Sequence, residues 1–332
     1  MKDQYDPKQG MYSYTPEELA FWPMQADLLK WDIPEKVAIQ CAISGGGARI
    51  TTEQNPYHPG DNLDHVLEAA DEVLALEVGP SAVHFDNDFP SLHTRDGKEL
   101  LPGDSYMYVV KPLLEKYGWG KLCAHINCLR GDMQQQMLPV MEGICELTYT
   151  HPRASASWLK RTLAIHKEHD IKVEIGIHVN SEIELAERTL IRTGLMPNPN
   201  LWCLLFGLPV KGPRWHFEYI PNAKAMCQHL VNAVERIREI DPEAFITVLA
   251  AGRAARYMVT LATLLGLHIR VGMEDTVFQY PHKDDPCKNN AEEVRWAIDM
   301  TRMLGREVMT PNELRKAVGI KPKHDYSPKG KR

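Results

Sequence analysis

From Val37 onward the chain alternates apolar runs of strand length with amphipathic segments of helix length. Residues 37–44, 81–86, 121–128, 145–150, 172–179, 201–208, 245–251 and 268–274 are continuous apolar runs carrying cysteine and β-branched residues, which predicts strands covered on both faces. Between them, 63–78, 105–117, 134–143, 156–169, 181–194, 222–240 and 254–265 have apolar residues at spacings of three and four, and 290–304 repeats the pattern after the last run. Eight strand–helix units in succession predict a closed parallel TIM (β/α)8 barrel. The rival is a doubly wound open sheet, but no GxGxxG follows the first strand. Gly45-Gly46-Gly47 stands there instead and reads as a turn needing unusual backbone angles.

The ends of the chain lie outside this rhythm. Residues 1–36 hold aromatic residues, prolines and a helix-start pattern, Thr15-Pro16-Glu17-Glu18, and read as an extension that wraps the domain or reaches a neighbouring subunit. The barrel domain spans 37–320 and includes a short extra helix, announced by Thr310-Pro311-Asn312-Glu313 with its threonine cap and following proline. The polar tail 321–332 is expected to be loosely held or to pack on another subunit.

Composition narrows the function classes. With 332 residues and 44% hydrophobic content there is apolar surface for a full core. The formal charge of -6, with lysine and arginine scattered along the chain, argues against a nucleic-acid groove. No run approaches the length of a membrane span and the start lacks a signal-peptide core, so the expected compartment is the cytoplasm. The 7 cysteines include no C-x-x-C pair and sit mostly inside apolar runs, as reduced core residues do.

In such a barrel the polar residues at the strand ends converge on one face. The densest set is His268-Ile269-Arg270-Val271-Gly272-Met273-Glu274-Asp275-Thr276, where period-two alternation gives Arg270, Gly272 and Glu274 a common side. The second strand ends Val83-His84-Phe85-Asp86-Asn87-Asp88, with His84, Asp86 and Asp88 sharing a side. A histidine and a carboxylate two apart on a strand can chelate one divalent ion, and Glu274 can complete three ligands; alone, His84 would read as a core histidine. Glu174 is a carboxylate among apolar neighbours, so it is either ion-paired or functional. The third and fourth strands deliver His125, Asn127, Tyr149, Thr150 and His151 to the same rim. Cys128 near Arg130 can be read as an activated nucleophile, or more simply as a small packed residue.

HIRVGMEDT, the asparagine-led helix at Asn290-Ala291-Glu292-Glu293-Val294 and GREVMTPNELRKAVGI together resemble the C-terminal signature of the beta-keto acid cleavage enzymes. VAIQCAISGGGARITTEQNPYHPGDNLDHVLEAA is similar to that family's first strand, its loop ending in Asn-Pro-x-x-Pro, and its first helix. The resemblance covers about 37 to 320. It implies a TIM barrel, a homo-oligomer (dimer or tetramer), a divalent metal, commonly zinc, and a reaction in which a beta-keto acid and acetyl-CoA give acetoacetate and a new acyl-CoA. Carried over by position, His84 and Glu274 match metal ligands, Arg270 and Asp275 the catalytic arginine and aspartate, and Glu174 the acidic residue of the fifth strand.

Asp86 stands where the family has a second histidine, and His93-Thr94-Arg95-Asp96-Gly97 looks like the family's His-x-Arg-Asp run displaced by an insertion. Asp86 is the preferred third ligand, because strand spacing brings it beside His84 without a loop folding back; His93 is the other candidate. A carboxylate in place of an imidazole shifts preference from zinc toward manganese, iron or magnesium. In the mechanism the resemblance implies, Asp275 tuned by Arg270 is the general base, and Asn127 or Thr150 contacts substrate. Arg130, Arg153, Lys211 and Arg253 near the rim can meet CoA phosphates, though residues of this kind are more often solvated surface. A CoA-independent metal-dependent lyase or hydrolase on an oxo acid, and a non-catalytic metabolite-binding barrel, are the alternatives.

Overall fold

The computed structural model describes residues 30–45, 55–86, 91–127, 132–196, 198–207, 220–276, 278–321 and 323–327. Residues 1–34 form a unit of their own, of which 30–34 are described and have no regular structure. The helix start expected at Thr15, the candidates Asp88, Cys128, Arg130 and Lys211, and glycines 46 and 47 lie outside the described residues.

Eight parallel strands close a barrel: β2 Ile39–Ala42, β3 Ala82–Phe85, β4 Ala124–Ile126, β5 Leu147–Thr150, β6 Lys172–Ile177, β7 Leu201–Phe206, β8 Phe245–Ala250 and β9 His268–Val271. The intervening helices are α1 Leu63–Leu74, α2 Pro102–Tyr117, α3 Met133–Met141, α4 Ala156–Glu168, α5 Ser181–Ala186, α6 Ala223–Ile240 and α7 Ala255–Leu264, with α8 Asn290–Met303 after the last strand. The predicted eightfold unit is therefore the observed one. The segment read as one helix over 181–194 is α5 running into a π-helical turn, Glu187–Ile191.

The first predicted strand is also divided. β1 Lys36–Val37 leaves the barrel to pair in parallel with β10 Glu307–Val308, and β2 begins two residues later. Two side chains hold this junction. His268 Nδ1 accepts the Ala38 N–H at 3.1 Å. Arg306 donates to the carbonyls of Thr263, Leu267 and Lys36 at 2.9, 3.2 and 3.1 Å.

Strand alternation sorts the core into two clusters. Val83, Phe85, Ile126, Val173, Ile175, Trp202, Leu204, Ile246 and Val248 pack outward among the helices. At the N-terminal mouth, Ala38, Ala82, Cys123, Leu147, Leu201 and Phe245 meet Leu314, Val318 and Ile320 from α9 Pro311–Val318 and its exit. The extra helix is thus the plug of the barrel floor. Its start carries the predicted capping box between Thr310 and Glu313.

A buried ion pair clasps the plug. Arg315 Nε and Nη2 donate to Glu146 Oε1 and Oε2 at 2.9 and 2.7 Å, and Nη2 also donates to the Leu122 carbonyl at 2.8 Å. The tail joins in: Tyr326 Oη donates to Glu146 Oε1 at 3.0 Å, its ring lies 4.1 Å from the Arg315 guanidinium, and His324 stacks on Trp119 at 3.8 Å. The described part of the tail is therefore held against its own barrel, because it brings aromatic rings to a cation and an indole. Among the described residues no helix is long and apolar enough to cross a membrane.

Burial holds His166 at about 4 and His268 at about 3, below the ordinary imidazole value of 6.5. Both stay neutral in the fold while the unfolded chain takes up protons from about pH 6.5 downward, so stability rises with pH through that window. Above pH 6.5 neither contributes a pH dependence. Between pH 6.5 and 4 each is expected to withdraw on the order of 3 kcal/mol, read as a falling urea midpoint at constant m-value.

Candidate metal centre and active site

The C-terminal mouth of the barrel gathers His84 from the body of β3, Asp86 one residue past it, and Glu274 three residues past β9. One donor atom from each lies within 4.8 Å of the others. The His84 Nε2 to Glu274 Oε2 distance is 3.4 Å. Divalent ions bind nitrogen and oxygen donors at about 2.0–2.2 Å, so donors on one ion stand roughly 3–3.5 Å apart, and this spacing suits such an ion. His84 Nδ1 and Nε2 and Glu274 Oε2 are buried without a hydrogen-bond partner, and an unpartnered buried nitrogen facing an unpartnered carboxylate oxygen suits a metal site.

The charge balance points the same way. Asp86, Glu174, Glu274 and Asp275 are all buried in this mouth, with the Arg270 guanidinium among them. Buried carboxylates in excess of cations are costly, and a divalent ion offsets that cost. Burial, reinforced by Arg270, keeps the His84 imidazole well below its ordinary value, so it is in the neutral form a metal requires. The residues present fit a divalent metal.

Arg270 organises the two acids that follow it. Its Nε donates to Asp275 Oδ2 at 3.0 Å, and Nη2 donates to Asp275 Oδ1 at 2.8 Å and Glu274 Oε1 at 2.6 Å. Gly272 makes this possible. At φ +134° it turns the chain after β9, and a Cβ there would collide with the Ala42 backbone. The turn is pinned from outside by Asn290, whose Oδ1 accepts the Met273 N–H at 2.8 Å while Nδ2 donates to the Ile43 carbonyl at 3.0 Å. Burial pushes Asp275 up to about 6, with Arg270 opposing and Glu274 adding to the rise. Burial raises Glu274 too, partly offset by Arg270.

The other expected residues fall around this trio. Asn127 Nδ2 donates to Asp86 Oδ2 at 3.2 Å, and its Oδ1 is buried without a partner. Glu174 faces the barrel interior, where Gln40 Nε2 donates to its Oε1 at 3.0 Å, and burial raises its pKa against the pull of Arg270. Gln40 Oε1 lies 3.2 Å from His125 Nδ1. Thr150 is buried on the opposite parity from Tyr149, the residue of β5 whose ring turns inward over Gly176. His93 is set apart from the trio: its backbone N–H donates to Asp61 O at 3.2 Å and its carbonyl accepts from Leu63 N.

Gly45 has a reason other than the turn conformation expected of its cluster. Its φ is not in the left-handed region, but a Cβ there would stand 2.7 Å from Glu274 Cδ and 2.9 Å from Asp86 Cβ. The backbone passes so close to the two carboxylates that only hydrogen fits. Gly45→Ala is expected to displace them and weaken metal affinity by about 10–100-fold with little loss of fold, as measured by competition with a chromogenic chelator.

A cavity of about 460 Å³ opens beside the loops after β7 and β8, lined among others by Gly207, Ile220, Gly252, Arg253, Tyr257 and Phe278. Arg253 lies 3.9 Å from the Phe278 ring centroid and pairs with Asp284 at 2.5 Å. Arg153 is ion-paired with Glu182 on the neighbouring β5–β6 side of the mouth.

Comparison with known proteins agrees with this geometry. The profile of the beta-keto acid cleavage enzyme family matches residues 123–320. A 3-keto-5-aminohexanoate cleavage enzyme of Acetoanaerobium sticklandii is 40% identical over 304 residues, covering 86% of this chain and 99% of that protein. The enzyme of the same name from Fusobacterium nucleatum is 25% identical over 308 residues, with the same coverage of both. Among solved structures, the complex of ObcA with oxaloacetate superposes with a TM-score of 0.63 at 17% identity, over 80% of this chain and 68% of that one, a likeness of fold.

Proposed function

The chain belongs to the beta-keto acid cleavage enzyme family, and from that premise we propose that it transfers the acyl part of a beta-keto acid to CoA, using acetyl-CoA and releasing acetoacetate. The observation that carries this reading is the joint placement of three buried metal donors and an Arg270-clamped carboxylate on consecutive residues, Glu274 and Asp275.

A divalent ion held by His84, Asp86 and Glu274 would supply a Lewis acid for the substrate's ketone oxygen. The remaining work falls to the chain's own groups. Asp275, brought to about 6 by burial and fixed by two bonds from Arg270, is suited to accept the proton from the carbon between ketone and carboxylate near neutral pH. That carbon then bonds to the acetyl carbonyl carbon of acetyl-CoA, and the thiolate of CoA leaves. The thiolate adds to the original ketone, the adjacent carbon–carbon bond breaks, and the acetoacetate enolate takes back the proton held by Asp275 as it departs from the new acyl-CoA. Arg270 keeps Asp275 from swinging away, and Asn127 is positioned to steer both Asp86 and a substrate oxygen. The cavity beside Arg253 and Phe278 is the space on this face suited to the thioester arm.

The test is turnover of a panel of beta-keto acids, 3-keto-5-aminohexanoate included, with carbonyl-labelled acetyl-CoA. The expected result is labelled acetoacetate and a matching acyl-CoA, with no cleavage when acetyl-CoA is omitted. Cleavage without acetyl-CoA would replace this reading with a CoA-independent lyase. No cleavage of any member, with metal bound, would leave a binding barrel.

A further inference from the structure

A second cluster of imidazole and carboxylate groups stands on the β5–β6 side of the same mouth. His151, His178 and Glu182 each offer one donor atom, all within 4.8 Å of one another, and so have the outline of another metal site. The hydrogen bonding argues against that role for His151. Its Nδ1 accepts the backbone N–H of Arg153 at 3.1 Å, so Nδ1 carries a lone pair and the proton of the neutral ring is on Nε2. A protonated Nε2 cannot bind a metal. Glu182 is likewise committed elsewhere, accepting the His178 N–H at 2.5 Å through Oε2 and pairing with Arg153 through Oε1.

One fixed proton determines the rest. His151 Nε2 lies 2.9 Å from His178 Nδ1, nearer than the Glu182 oxygens that stand 3.6 Å from His151 Nε2 and 3.5 Å from His178 Nδ1, so the His151 proton is placed to donate to His178 Nδ1. A cationic His178 would set two N–H groups against each other across that distance. His178 therefore carries its proton on Nε2, which donates to Tyr149 Oη at 3.1 Å. The Tyr149 oxygen receives that bond and its own proton remains to be donated onward.

The tyrosine is inside the barrel, not on its wall. Tyr149 pairs in register with Glu174. Its ring fills the space that a side chain at Gly176 would occupy, and 7% of its surface remains exposed. Gly176 is thus the vacancy that lets a tyrosine cross from β5 over β6.

We propose that Tyr149 is a substrate-contacting hydrogen-bond donor, aimed by the chain Arg153 N–H, His151, His178, and that it selects a substrate presenting an oxygen acceptor on the β5–β6 side of the mouth. His151 and His178 are positioning residues that act through Tyr149. The proposal rests on the beta-keto acid reading only for the identity of the ligand. A polarised chain of neutral groups favours a carbonyl or carboxylate oxygen, and it offers no free carboxylate to an ammonium group, since Glu182 is paired.

The test has two parts. In metal-loaded enzyme with 15N-histidine, imidazole resonances assigned through His151→Gln and His178→Gln are expected to show both rings as neutral Nε2–H tautomers at pH 7.5. A proton on His151 Nδ1, a cationic His178, or loss of bound metal in His151→Ala, where full retention is expected, would overturn the chain. In calorimetry, Tyr149→Phe is expected to weaken acetoacetate binding about tenfold, and in turnover to raise KM with kcat little changed, while a purely structural tyrosine would alter stability and leave affinity intact. An unchanged affinity overturns the donor role. If wild type binds no beta-keto acid, the functional reading fails and the tautomers alone decide whether the chain exists.

Discussion

Glu274→Gln is expected to yield a folded protein that has lost its divalent ion and about a thousandfold of its turnover, or roughly 4 kcal/mol of transition-state stabilisation. In the native site Glu274 divides its two oxygens: Oε1 accepts from Arg270 Nη2 at 2.6 Å, and Oε2 stands 3.4 Å from His84 Nε2 with no hydrogen-bond partner. Glutamine preserves the first contact through its carbonyl oxygen. Its amide nitrogen then occupies the second position, where it can donate to His84 but has no lone pair for a metal. The substitution therefore separates metal binding from packing. Elemental analysis should fall from about one ion per chain to a small fraction, with a Tm close to that of the metal-free native protein. Full retention of both metal and activity would remove Glu274 from the centre and sink the mechanism.

At the opposite mouth, Arg315→Ala is expected to cost about 3–5 kcal/mol of unfolding free energy, because it leaves Glu146 charged and buried. Glu146 is fully buried, receives two bonds from Arg315 and one from Tyr326, and lies beneath the plug formed by Leu314, Val318 and Ile320. Removal of the guanidinium also frees the Leu122 carbonyl and takes away the cation under the Tyr326 ring. Replacing both partners, as in Glu146→Leu with Arg315→Met, should recover most of the loss, since no lone charge then remains. Urea unfolding of the three variants measures this directly. Their turnover at a temperature where all are folded should match wild type, because the reacting groups lie at the other end of the barrel.

The periodicity of the chain was enough to specify the architecture. Eight strand-length runs separated by helix-length amphipathic segments admit few closed arrangements, and burial of the apolar runs on both faces requires helices outside and side chains within. The same period-two rule gives His84 and Asp86 a common side at the end of β3 without any tertiary contact. It also favoured Asp86 over His93, and the structure places Asp86, not His93, with His84 and Glu274.

What alternation could not supply were relations that cross the barrel. The inward turn of Tyr149 depends on a vacancy at Gly176 one strand away, and the tautomers of His151 and His178 depend on a backbone amide at Arg153. The clasp of Arg315 on Glu146 joins positions 169 residues apart, and the need for glycine at position 45 comes from carboxylates just past the ends of two other strands. Period and composition describe which face of its own element a residue takes. Which partner meets that face is decided by barrel closure, so the strands and the shared side of His84 and Asp86 were legible along the chain, whereas the hydrogen-bond chain at the mouth and the lock on the floor came only from the folded structure.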